Sequence, residues 1–103
     1  MKKIVISTMI ALFAATSHAS VFCDNLTKLS GVIMKARQNN ISANAMLILL
    51  DKEVPDADLN ELARELVLMA YSRPRFHSES MQSDAIRDFE NNITITCARS
   101  RHG

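Results

Sequence analysis

Asn91-Asn92-Ile93-Thr94-Ile95-Thr96-Cys97 (NNITITC) can be read two ways, and the fold turns on which reading holds. Its apolar and polar residues alternate with the period of a half-buried strand, and each β-branched residue costs roughly a few tenths of a kcal/mol in a helix. Upstream, however, Ala85, Ile86 and Phe89 lead into Ile93 and Cys97 along one helical stripe. The longer pattern favours a single helix from about 79 to 98, capped by Ser78 or Ser80.

That helix ends on one of only two cysteines expected after export, and the other, Cys23, stands near the opposite end. The chain opens Met1-Lys2-Lys3, continues through an apolar stretch broken by Ser7 and Thr8, and reaches Ser17-His18-Ala19, the layout of a bacterial secretory signal cut after Ala19. The apolar stretch is shorter than the ~20 residues of a spanning helix, so no stable membrane anchor is expected. Ser20-Val21-Phe22 before Cys23 does not suit lipoprotein processing. A periplasmic or secreted product follows, in a compartment that oxidises paired thiols. A Cys23–Cys97 disulfide there closes a loop of about 75 residues, to which chain entropy assigns ~4.5 kcal/mol before strain.

Removal of residues 1–19 leaves 84, of which 37 are apolar, enough for one domain over 20–103 and not for two. Without Lys2 and Lys3 the 12 basic residues fall to ten against 11 acids, a net charge of −1 that argues against a nucleic-acid partner.

The rest of the chain is patterned as helix. Phe22, Leu26, Leu29, Ile33 and Ala36 share a face over 20–38, and Asn39-Asn40 stops it. Ser42 caps a second helix to about Glu53, with Ile41 placed to staple onto Met46. Its MLILL centre could also be a buried strand, but no partner strand is evident. After Val54-Pro55-Asp56, Asp58-Leu59-Asn60-Glu61 reads as a capping box opening a third helix, with a buried stripe of Leu59, Leu62, Ala63, Leu66 and Ala70. Pro74 ends that helix near Ser72 or Arg73. The expected fold is all-α, a four-helix arrangement closed by one disulfide between its first and last helices.

Ala70–Phe76, AYSRPRF, sets two arginines about a proline between two aromatics. As a joint, it folds Tyr71 and Phe76 against the bundle end while Arg73 and Arg75 point outward, Arg73 meeting the carbonyls of its own helix end. As a binding site, Tyr71, Arg73 and Arg75 form a rigid projection for a protein partner. Ile48, Leu68 and Ile95 lie off the apolar faces of their helices; they either meet a second buried side or form an interface, with Leu68 a candidate edge contact.

Chemistry is not signalled. His77 and Met81 stand four apart but supply too few ligands for a soft metal ion, and cysteines 74 positions apart lack zinc-site spacing. No nucleophile–base set or paired catalytic carboxylates emerge; the acids from Asp51 to Glu65 read as a solvated face. No cofactor and no enzymatic activity are expected.

At IMKARQ (Ile33 to Gln38), AYSRPRF, AIRDFENN (Ala85 to Asn92) and Cys97, the chain resembles a group of short secreted proteins of proteobacteria and their phages. In these a cysteine precedes an ARQ helix, an AYxxPR turn follows, and an FxN helix ends in a second cysteine. The resemblance implies the bridge and the turn and carries no activity. In layout alone the chain is similar to phage-encoded inhibitors of cell-wall lysozymes and to acid-activated periplasmic chaperones, each a small helical protein with one disulfide. The expected function is that of a non-enzymatic periplasmic interaction module, an inhibitor or accessory protein, with an acid- or stress-activated chaperone as the alternative and a small enzyme third.

Overall fold

The stretch Asn91–Cys97 is helical throughout. The computed structural model describes residues 21–102; the signal segment expected at 1–19 lies outside them. Among the described residues there are four α-helices and no strand: α1 over 21–38, α2 over Ala43–Glu53, α3 over Ala57–Tyr71 and α4 over Glu79–His102. Ile93 and Cys97 are buried, whereas Ile95, which a strand would set on the same face, is 50% exposed. Thr94 fits the helix by donating its hydroxyl to the Glu90 carbonyl at 2.9 Å. The helix passes the expected end at 98, because Ala98 to His102 holds neither glycine nor proline.

α1 and α4 run antiparallel along a narrow seam. Cys23 and Cys97 are joined, with their Cα atoms 5.8 Å apart. One turn on, the Thr27 and Thr94 hydroxyls meet at 2.7 Å; since Thr94 spends its proton on Glu90, Thr27 is the donor. A further turn on, the Glu90 side chain lies over Gly31, where a Cβ would collide with the carboxylate. Contacts at 23–97, 27–94 and 31–90 thus fix the antiparallel register of the two helices.

The turns are built from polar side chains, as a chain with two glycines requires. Asn40 takes the left-handed conformation (φ 65°), and Ile41 N–H donates to Ala36 O while Asn40 N–H donates to Arg37 O, the bonds of a Schellman stop. Ser42 then caps α2 through Ala45 N–H. Asn60 Nδ2 donates to Leu50 O and Val54 O, closing the end of α2 against the start of α3. The capping box expected at Asp58 is displaced: Asp56 is the N-cap, accepting from Leu59 N–H at 2.9 Å, and α3 starts two residues earlier. Ser78 caps α4 through Met81 N–H.

The core gathers Leu26, Ile33 and Met34 from α1, Met46 and Leu50 from α2, Leu66 and Val67 from α3, and Phe89 and Ile93 from α4. The MLILL segment is helical and two-faced, with Met46 and Leu50 buried and Ile48 and Leu49 exposed. One expectation for α3 fails: Val67 is buried while Leu62 is 41% exposed, since the bundle does not close over Leu62. Among α2, α3 and α4, only the α2–α3 pair runs in close backbone contact.

Candidate functional site

The AYSRPRF turn and residues 37–41, at and just past the end of α1, lock together through six hydrogen bonds. Tyr71 donates its hydroxyl to Ile41 O at 2.6 Å. Arg37 donates Nε and Nη2 to the carbonyl of Arg73, each at 3.1 Å. Gln38, 1% exposed, donates Nε2 to Pro74 O at 3.0 Å and accepts Phe76 N–H on Oε1 at 2.8 Å, while its own carbonyl accepts Arg75 Nε at 3.0 Å. A loop around a proline leaves carbonyls and an amide that no helix can pair. The side chains of α1 pair them instead.

Two expectations for the arginines are corrected by this arrangement. Arg73 does not point outward; its guanidinium lies 5.0 Å from the centroid of the buried Phe89 ring, which keeps the cation over an apolar face. Nor does Arg73 satisfy the carbonyls at its own helix end, for it is Arg37, from α1, that reaches the carbonyl of Arg73. Arg75 is exposed, but its Nε is turned inward to Gln38; its two Nη nitrogens have no partner among the described residues. Tyr71 is half-buried with Arg37 5.5 Å from its ring centroid, and burial raises its phenol pKa, an effect the nearby guanidinium partly opposes.

At the opposite end the bundle is open. An apolar groove of about 590 Å³ lies where α3 and α4 part over the start of α1. Phe22, Leu26, Leu66, Ile93 and disulfide-bonded Cys97 line it, Leu62 and Met69 stand along α3, and Thr96 and Ser100 lie along α4. Among the described residues its only charged lining groups are Asp58 and Glu65, both exposed and without an ion pair there. Such a surface can desolvate an apolar partner; among the described residues no histidine, lysine or arginine lines it.

The remaining sites stay apart. Leu68 is 61% exposed and adjoins the groove residue Met69 in sequence without lining the groove itself. Ile48 is likewise exposed, so the residues that break their helical stripes face out and are not buried on a second side. His77 and Met81 are exposed, and no cluster of three or more His, Cys, Asp or Glu side chains suited to a metal ion occurs among the described residues. No helix among them is long and apolar enough to cross a membrane.

Sequence reasoning singled out the turn and missed the groove. The signal was present, since Leu62 and Met69 are seven apart on α3, but helical spacing cannot tell a core stripe from an uncovered one. Comparison with protein-family models, with curated proteins and with solved structures finds no match for this chain.

Proposed function

We propose that this chain is a non-enzymatic periplasmic interaction module, an inhibitor or accessory protein, that grips one protein partner through the groove between α3 and α4. The observation that carries the reading is a wide apolar cavity, flanked by Leu62 and Met69 at 41% exposure each, in a domain with few apolar residues to spare. Exposed apolar surface next to charge is what partner sites have in common. The disulfide and the Gln38 knot hold the groove's walls in place before a partner arrives, which lowers the entropic cost of docking. Leu68, one residue from Met69, extends the apolar surface of α3 beyond the groove.

A second reading places the partner on the turn, with Arg75 as its anchor through the two unpartnered Nη nitrogens and Tyr71 and Arg73 as its support. A photo-crosslinking residue installed in living cells at Met69, and separately at Arg75, separates the two. A discrete adduct from position 69 and none from 75 is the expected result. The reverse pattern overturns the groove reading and favours the turn.

The acid-activated chaperone has no comparable support. Acid release of a core depends on carboxylates that native contacts hold in their charged form, and every Asp and Glu among the described residues is exposed apart from the half-buried Glu90.

A further inference from the structure

We infer that the groove takes an amphipathic helix whose apolar face is flanked by lysine or arginine. This rests on the interaction-module reading and adds to it the chemistry of the partner.

Length comes first. Asp58, Leu62, Leu66 and Met69 follow one another along α3 at steps of four, four and three residues. Eleven residues of helix span about 16 Å, or three turns, which matches three turns of an incoming helix presenting apolar residues at i, i+4, i+7 and i+11. The floor is apolar and fixed, since Leu66 and Ile93 are core residues and Cys97 is tied to α1 through Cys23. Leu62 and Met69 are the accessible walls, and an unbranched methionine adapts to the shape of what it meets.

Charge selects among the possible occupants. Among the described residues, Asp58 and Glu65 give the rim one sign only, and no intramolecular cation neutralises them. A fatty acid would bring its carboxylate toward those two carboxylates. A second copy docking groove to groove about a two-fold axis would bring Asp58 and Glu65 of both copies into one interface. An apolar helix with cationic flanks is the occupant that gains from both the floor and the rim.

The test uses the purified, disulfide-bonded protein and two fluorescent 16-residue peptides with the same leucine face, one flanked by lysines and one by glutamates. Anisotropy titrations should show the lysine peptide binding roughly threefold to tenfold more tightly at low salt, the effect of two exposed ion pairs. At high salt the preference should shrink while binding persists. Asp58→Lys with Glu65→Lys should invert the preference, and Leu62→Asp should abolish binding of both peptides with the helical circular dichroism unchanged. Equal affinities, a preference for the glutamate peptide, binding indifferent to Leu62→Asp, no binding of either peptide, capture of a fatty acid alone, or a groove occluded in a stable dimer each overturns the inference. A crosslink from Met69 to a partner in cells, together with peptides that show no charge preference, would overturn the cationic helix and leave the interaction module standing.

Discussion

One end of this bundle is closed by polar groups and the other by a covalent bond, and it is at the second that an apolar groove stays open. At the turn end, Gln38 is buried with both ends of its amide paired, and Arg37, Tyr71 and Arg75 each reach a carbonyl across the joint. Little can move there without orphaning a backbone group, and an orphaned buried group costs about 1–3 kcal/mol. At the disulfide end, Cys23–Cys97 ties α1 to α4 without calling on α3, which stands away and opens the groove. The contrast teaches that a small helical domain can assign rigidity to one end and availability to the other.

The largest way to break the contrast is to cut the covalent end. Cys23→Ser with Cys97→Ser should lower stability by about 4 kcal/mol and the melting temperature by roughly 20 °C, read by thermal circular dichroism with and without reductant. A double variant that melts with the parent would show that the polar knot alone holds the bundle.

Gln38→Leu attacks the other end. It leaves Phe76 N–H and Pro74 O without partners and should cost about 2–4 kcal/mol in urea unfolding. Gln38→Glu sharpens the point: a carboxylate still accepts from Phe76 N–H but repels the Pro74 carbonyl, so the variant should regain stability as it is protonated at low pH. Failure of either variant to destabilise would deny the knot its part in the fold.

Smaller effects are expected from single strands of the knot. Arg75→Ala should cost about 1 kcal/mol through the lost bond to Gln38 O, and Tyr71→Phe a similar amount through Ile41 O. For Tyr71 the pH dependence has a definite sign. Burial raises the phenol pKa, so the folded chain keeps a proton that the unfolded chain gives up first. That stabilisation is whole below about pH 10, the unfolded tyrosine value, and is lost as pH rises from there through the folded pKa. The gap between parent and Tyr71→Phe in denaturant midpoints should therefore narrow above pH 10; a constant gap would contradict it.

The smallest effect belongs to the open end. Leu62→Ser, at a side chain that folding leaves 41% exposed, should change stability by less than about 0.5 kcal/mol. A loss of 2 kcal/mol or more would mean that Leu62 supports the core and does not serve the groove.

Particular residues show where sequence reasoning stops. Ser42 and Ser78 were legible as caps because a cap is a contact over three residues, and the NNITITC helix was legible because Phe89, Ile93 and Cys97 outweigh a local alternation. The N-cap of α3 reads from sequence as Asp58 and is Asp56 in the structure, because both are acids ahead of an apolar run. Arg73 reads from sequence as outward-facing because nothing local announces that Phe89, 16 positions on, lies beneath its guanidinium.

By itself the sequence determined the four helices, the stops of the first three and the one covalent pairing, since periodicity, capping and two lone cysteines act over a few residues or leave no choice. Only the tertiary structure decided that Gln38 and Arg37 complete the turn some 36 residues away, and that Leu62 and Met69 look into open space. The physical reason is the same for both. Pairing a buried polar group and covering an apolar one depend on what the rest of the chain brings alongside, and no local pattern encodes the neighbour.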